Sequence, residues 1–163
     1  MNLLVAHLMI KNVVTIEAGQ NVLKAAELMG EKRVSSLPVV SKGKLIGIVT
    51  EKDMVIRVVA RGLNGKKLFV EEIMSYPVAI TSPETQLEEA TKLMLSKGVR
   101  KLPVVEDGHV IGILSLTDVA KAYPVWGVCI MADLNQGQFI ASTDEEVYTK
   151  DPVDNITNSN ALM

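Results

Sequence analysis

The chain contains one internal repeat, and this repeat constrains the fold more than any other feature of the sequence. Residues 5–53 align with residues 70–118 at a constant offset of 65 without a gap, and 17 of the 49 aligned positions are identical. The longest shared block is "LPVV", at 37–40 and 102–105. Two copies are too few for a solenoid, which needs more stacked units to bury a continuous core. The sequence therefore predicts a duplicated unit whose halves pack on each other about a pseudo-twofold axis.

Both copies predict the same order of elements, β-α-β-β-α, and hence the α+β class (α/β mixed). The segments "NVVTI" and "PVAIT" are rich in β-branched residues, which favour strands. Each is followed by apolar residues at helical spacing, such as Val22, Ala25 and Met29 in the first copy. Thr85 and Glu88 have the spacing of a capping box for the equivalent helix of the second copy.

The second half of each copy predicts a hairpin and another helix. "LPVVSKGKLIGIVT" and "LPVVEDGHVIGILS" each contain two apolar runs joined by a short turn with glycine, which is typical of a hairpin. The helix that follows is expected to end with Gly62 as its C′ residue in the first copy and before Pro124 in the second. The resulting domains are residues 5–62 and 70–124, joined by a linker at 63–69.

Residues 125–163 lie outside the repeat. "VWGVCIMADL" and "QGQFIAS" are typical of short strands, whereas the rest is polar, acidic and rich in turn formers, so we expect its end to be disordered. This extension carries one Lys/Arg against six Asp/Glu, while residues 1–64 carry nine against five. It is either an acidic arm that folds back on the basic first repeat, or a tail that binds a partner or keeps the chain solvated.

Length and composition exclude several classes of protein. With 163 residues, 48% of them hydrophobic, the chain is long enough to bury a core, and it has no apolar run that would span a membrane. The amino terminus lacks the features of a signal peptide, so we expect a cytoplasmic location. Aromatic residues make up only 4% and there is no basic stripe, which argues against nucleic-acid binding.

Residues that usually carry catalysis are sparse. Cys129 is the only cysteine, so it forms neither an internal disulfide nor a zinc ligand set. His7 and His109 are far apart, with no Cys or carboxylate at metal-ligand spacing. The sequence lacks a Ser-His-Asp set, paired catalytic carboxylates and a phosphate-binding glycine loop. We therefore expect no metal, no required cofactor and no enzymatic reaction.

One motif recurs at a strand-to-helix junction, in "GIVTEKDM" and "GILSLTDV". Thr50 and Ser115 precede the predicted helices, with Asp53 and Asp118 three positions on, which is the spacing of a helix cap. The same location gathers free backbone N–H groups and the positive end of a helix dipole, which favour a phosphate. A carboxylate there can also accept both hydroxyls of a ribose. Cap and ligand site remain alternatives at this point.

The combination of "IMSYPVAITSPETQLEEATKLM", "VRKLPVVEDGHVIGILSLTDV" and their copy at an offset of 65 resembles a tandem pair of cystathionine-β-synthase (CBS) domains. The resemblance covers residues 5–123. It implies that the chain binds adenosyl ligands such as AMP, ADP, ATP, S-adenosylmethionine or NAD in clefts between the repeats, and that it regulates a partner protein. Many such pairs form a disc-like homodimer.

The resemblance also implies roles for residues at the motif and at the first strands. Asp53 and Asp118 are expected to bind the ribose hydroxyls, and Thr50 and Ser115 the phosphate or the ribose edge. Adenine is expected against the ends of the first strands, which are formed in the two copies by Thr15, Ile16, Ile80 and Thr81.

Basic residues are expected to make the two clefts unequal. Before "LP", the second copy has Arg100 and Lys101, where phosphate-binding members of the family often carry basic residues, while the first copy has Ser35 and Ser36. A cleft with two cations would favour di- or triphosphates. Arg57, one turn after the first motif, is a weaker phosphate candidate. For these cations, a solvated surface charge is the alternative.

These observations predict a regulatory sensor that binds an adenine nucleotide of the AMP, ADP or ATP type, as a homodimer that signals to an unidentified effector protein. The alternatives are a ligand-free dimerisation or scaffold module, and a binder of S-adenosylmethionine or NAD.

Overall fold

The computed structural model describes residues 3–122, so the predictions for the extension at 125–163 lie outside the described residues. The described part forms two compact units. The first unit is Val14–Val78, and the second consists of residues 3–13 and 79–122. The units are therefore not the repeats, because the opening segment of each repeat belongs to the unit that contains the rest of the other repeat.

The described residues form helices and short strands. The helices are α1 (Val5–Leu8), α2 (Val22–Lys32), α3 (Glu51–Met54), α4 (Val70–Ile73), α5 (Leu87–Ser96) and α6 (Leu116–Ala122). The strands are β1 (Ile16–Glu17), β2 (Ser36–Ser41), β3 (Lys44–Thr50), β4 (Lys101–Glu106) and β5 (His109–Ser115). This content confirms the α+β class.

Each unit is built on the hairpin that the sequence predicts. In the first unit, β2 pairs with β3 antiparallel and with β1 parallel; in the second, β4 pairs with β5 antiparallel. Lys42 and Gly43 both have positive φ, 51° and 78°, which is typical of a two-residue turn that matches the twist of the strands. Asp107 and Gly108 repeat this geometry in the second unit.

The first strands are shorter than the sequence predicts. "NVVTI" contributes only its last residue to β1, and in "PVAIT" only Thr81 forms an isolated parallel bridge, to Val104. The Thr81 N–H donates to the carbonyl oxygen of Pro103 at 3.1 Å, and its own carbonyl accepts from the Val105 N–H at 2.9 Å. The chain then turns, since the Thr85 N–H donates to the carbonyl oxygen of Ser82, so no second pair of bonds extends the strand.

The cores of the two units use equivalent positions. Leu37, Val39 and Val49 are fully buried in the first unit, and their repeat partners Leu102, Val104 and Leu114 are fully buried in the second. Full burial of one such side chain contributes about 1.5–3 kcal/mol. The identity of the "LPVV" blocks thus reflects the packing that both units require.

The end of a short helix packs on the hairpin in each unit. A Cβ atom at Gly47 would overlap the side chain of Met74, and one at Gly112 would overlap that of Met9. Glycine is needed at these positions because the methionine occupies the space where a side chain would lie. The methionines just after α4 and α1 therefore attach those helices to the hairpins.

The helix ends follow the sequence pattern only in part. Asn21 caps α2, because its side chain accepts from the Lys24 N–H at 2.8 Å. The capping box predicted from Thr85 and Glu88 is wrong: the N-cap of α5 is Gln86, without a side-chain cap bond. Thr85 lies one residue too early, and its hydroxyl instead contacts the Ser82 hydroxyl at 3.0 Å.

The helix after β3 changes geometry within one turn. Beyond α3 the chain continues as a π-helical turn, Val55–Val59, in which the Ala60 N–H donates to the carbonyl oxygen of Val55 at 2.8 Å. The helix therefore ends before the predicted stop, although Gly62 does adopt a positive φ of 65°. In the second unit, α6 is described as far as Ala122, and the stop predicted before Pro124 lies outside the described residues.

Candidate functional site

In the first unit, Thr50 ends β3 and Asp53 lies in the first turn of α3. The Thr50 hydroxyl accepts from the Asp53 N–H at 3.2 Å, and Asp53 Oδ2 accepts from the Thr50 N–H at 2.8 Å. The same hydroxyl donates to Oδ2 at 2.6 Å. The capping interpretation is therefore confirmed, and it also fixes the carboxylate against the end of the strand.

The other oxygen of Asp53 faces two further donors. Oδ1 lies 3.4 Å from the Ser75 hydroxyl and 3.5 Å from Nη2 of Arg57. Nη1 of Arg57 donates to the carbonyl oxygens of Ile73, at 2.6 Å, and Met74, at 3.1 Å. The side chains of Arg57 and Asp53 are only 15% and 13% exposed. Contacts to four donor groups thus surround this carboxylate.

In the second unit, the equivalent carboxylate has fewer partners among the described residues. The Asp118 N–H donates to Ser115 Oγ at 3.2 Å, and the Ser115 hydroxyl donates to Asp118 Oδ2. Ala122 and Ile10 occupy the positions that correspond to the arginine and the serine of the first unit. Within residues 3–122, Oδ1 of Asp118 therefore has no side-chain donor of the kind seen in the first unit.

The residues that precede "LP" lie beside the motif in each unit. Ser36 is paired with Thr50 across the hairpin, and Lys101 is paired with Ser115. The first N–H of α6 donates to the carbonyl oxygen of Arg100 at 3.0 Å, and the equivalent bond in the first unit is 3.1 Å long. The structure thus brings a basic pair next to the second motif and a serine pair next to the first.

The residues predicted to contact adenine lie farther along the sheet. Ile16, which follows Thr15 and is 4% exposed, pairs with Val39, three residues after Ser36. Thr81, which follows Ile80, pairs with Val104, three residues after Lys101. Three strand residues correspond to about 10 Å. The first-strand residues therefore do not touch the motif, although a ligand of nucleoside length spans such a separation.

A groove of about 590 Å³ in the second unit lies between the first-strand segment and α5. Its lining includes Ile80, Thr81 and Leu93, but not Ser115 or Asp118. The Thr81 hydroxyl oxygen is buried and has no hydrogen-bond partner in the described part of the chain. The groove is thus a feature separate from the repeated motif.

Sequence reasoning missed Ser75 and the contacts of Arg57 with the protein. Ser75 follows Met74, which matches Met9 in the repeat, but Ser75 itself aligns with Ile10. A comparison that scores identities passes over such a position. The signal that could have identified Ser75 was its difference from Ile10, one residue after the match between Met74 and Met9.

No group of three or more His, Cys, Asp or Glu within residues 3–122 is placed to hold a metal ion. No helix in that same range is long and apolar enough to cross a membrane.

The model of one protein family, the CBS domain, matches residues 5–60 and 70–125. The chain is 36% identical over 112 residues to the CBS domain-containing protein YhcV of Bacillus subtilis, a match that covers 69% of this chain and 79% of that protein. It is 35% identical over 130 residues to the uncharacterised protein MK0525 of Methanopyrus kandleri, covering 78% of this chain and 66% of that protein.

Enzymes are also among the relatives, but the chain matches only a small part of them. It is 38% identical over 111 residues to the inosine-5'-monophosphate dehydrogenase of Korarchaeum cryptofilum, which is 68% of this chain and 22% of the enzyme. Among solved structures, the CBS domain pair of protein MJ0100, in complex with 5'-methylthioadenosine and S-adenosyl-L-methionine, is similar with a TM-score of 0.70 and 25% identity. That match covers 76% of this chain and 98% of the other.

Proposed function

Because the chain belongs to the CBS domain family, whose pairs are regulatory ligand-binding modules, we propose that it binds an adenosyl ligand and signals its presence to a partner protein. The proposed ligand is an adenine nucleotide of the AMP, ADP or ATP type. The chain itself catalyses no reaction in this proposal and acts in the cytoplasm. S-adenosylmethionine and NAD are the alternative ligands.

One observation carries the proposal: each unit holds a hydroxyl and a carboxylate together at the start of a helix. The hydroxyl and the positive end of a helix dipole suit a phosphate, and the carboxylate suits a ribose diol. In the second unit, Lys101 is paired with Ser115, and the backbone of Arg100 adjoins the same helix start. Charge-assisted hydrogen bonds from these side chains would favour a phosphorylated ligand over an uncharged one.

The comparison with MJ0100 supports the adenosyl class of ligand. Both molecules named in that complex, 5'-methylthioadenosine and S-adenosyl-L-methionine, carry adenine and a ribose diol. They lack the phosphate that the basic pair would bind. The basic pair is thus the feature of this chain that favours a nucleotide.

A thermal-shift experiment tests the proposal. Melting temperatures of the full chain are measured with AMP, ATP, NAD, S-adenosylmethionine and 5'-methylthioadenosine, with guanosine monophosphate as the control. A ligand at about 100 times its dissociation constant adds roughly 2.7 kcal/mol to the free energy of unfolding. We expect AMP and ATP to raise the melting temperature, Asp118→Ala to reduce the shift, and Arg100→Ala to weaken ATP more than AMP. No shift with any of the adenosyl compounds contradicts the proposal.

A second candidate function is a dimerisation or scaffold module, and one observation favours it. Val55, Ile56 and Val59, in the π-helical turn, are 57%, 49% and 71% exposed, so the turn presents an apolar face to its surroundings. If no adenosyl compound shifts the melting temperature, and light scattering shows a dimer that Val59→Glu converts to a monomer, the scaffold function is the correct one.

A further inference from the structure

The two copies of the motif differ in how firmly their carboxylates are already engaged. Asp53 Oδ2 accepts from the N–H and the hydroxyl of Thr50, and Oδ1 lies within 3.5 Å of Ser75 and Arg57 donors. A ribose diol would compete with these donors for the same lone pairs. Among the described residues, Asp118 has the hydroxyl contact with Ser115 but neither of the donors that face Oδ1 in the first unit.

Arg57 is held in place by groups other than the carboxylate. Its guanidinium donates to the carbonyl oxygens of Ile73 and Met74, which lie at the end of α4. The side chain is 15% exposed, so water offers it few alternative partners. The two backbone acceptors hold the guanidinium beside Asp53, so a ligand has to compete with a cation in a fixed position.

We propose that Arg57 locks the first site, so that the chain binds one adenosyl ligand, at Asp118, while the Asp53 site stays closed. This inference rests on the proposed function and adds to it the number of ligands and the reason for that number. The lock acts on the ribose diol, because the guanidinium lies 3.5 Å from Oδ1 and competes with the diol for that oxygen. It is therefore independent of whether the ligand carries a phosphate.

The sequence-based role for Arg57, a phosphate anchor, makes the opposite prediction. An anchor strengthens the binding of AMP and has no effect on 5'-methylthioadenosine, which has the same diol without a phosphate. A lock weakens the binding of both compounds at Asp53. Removal of the guanidinium consequently distinguishes the two roles by the sign of the effect.

Isothermal titration calorimetry of the full chain with AMP, and separately with 5'-methylthioadenosine, measures the number of sites. We expect one site per chain in the wild type and a second site in Arg57→Ala for both compounds. The double variant Arg57→Ala with Asp53→Ala should lose that second site. If circular dichroism shows that Arg57→Ala is unfolded, Arg57→Met, which keeps the aliphatic stem, replaces it.

The matched control is Lys52→Ala, which removes a cation from the exposed side of α3 and should leave one site. The reciprocal variant is Ala122→Arg, which installs an arginine at the equivalent position of the second unit. The carbonyl oxygens of Leu8 and Met9 there correspond to the two that Arg57 uses. Ala122→Arg should weaken both compounds on the order of tenfold, the usual effect of one competing charge-assisted bond.

The outcomes separate the two proposals. Two sites in the wild type, weaker AMP binding in Arg57→Ala, or an unchanged affinity in Ala122→Arg would overturn the lock while leaving the adenosyl function intact. If neither compound binds the wild type or any variant, both proposals fail.

Discussion

The first and second units have equivalent cores, but the surroundings of their motif carboxylates differ. Leu37 and Leu102 are equally buried, whereas Asp53 faces an arginine and a serine that have no counterpart beside Asp118 within residues 3–122. Core positions stay alike because close packing allows only small changes of volume, such as Val49 against Leu114. Positions around a ligand motif can change one at a time without loss of the fold. Duplication has thus given two copies of the motif on equivalent frameworks, and we propose that one of them is closed to ligand.

The largest expected effect tests whether the two cores are equivalent. Leu37→Ala and Leu102→Ala each remove a fully buried side chain, and each should lower the free energy of unfolding by about 2–5 kcal/mol. Urea denaturation followed by circular dichroism measures both variants. A large cost in one and a negligible cost in the other would show that the units do not contribute equally.

The next effect tests the difference between the motif surroundings. Arg57→Met leaves two carbonyl oxygens and the Asp53 carboxylate without a half-buried donor, so we expect a loss of about 1–3 kcal/mol in the free energy of unfolding. Ala122→Met changes the equivalent exposed position and should stay within about 0.5 kcal/mol of the wild type. If urea denaturation gives equal losses in the free energy of unfolding for the two variants, the proposed difference between the two motif surroundings is contradicted.

The smallest effect concerns the helix starts. Asn21 caps α2 with its side chain, whereas Gln86, its repeat partner, makes no side-chain cap bond. Asn21→Ala should therefore cost about 1 kcal/mol. Gln86→Ala should change stability by less than about 0.5 kcal/mol. Thermal unfolding of the two variants side by side gives the comparison, and a cost for Gln86→Ala that matches that of Asn21→Ala would contradict it.

The repeat and the local patterns were sufficient to predict the hairpins, the main helices and the capping role of Thr50. These features depend on residues a few positions apart, and each pattern occurs in both copies of the repeat. The Thr85 capping box failed because helix start residues are fixed only within one or two positions by such patterns. The contacts of Arg57 with Ile73 and Met74 join residues 16 and 17 positions apart, and no spacing rule reaches that far.

Ligand roles for the site residues remain predictions. The sequence pattern and the family resemblance select Asp53, Asp118 and their hydroxyl neighbours, and the structure adds what surrounds them. Ser75 was missed because the copies differ there. Positions at which the two repeats differ are consequently informative about a site. Positions at which they are identical are informative about the core.

Each unit contains segments of both repeats, and this determines which fragments of the chain keep their contacts. A fragment cut after residue 62 would carry α1 and lack α4, so Arg57 would lose the two carbonyl oxygens that hold it. A fragment of residues 14–78 would keep them. The segment that was copied and the segment that packs as one body begin nine residues apart, at Val5 and Val14. The boundaries of the sequence repeat and the boundaries of the compact unit are therefore different in this chain.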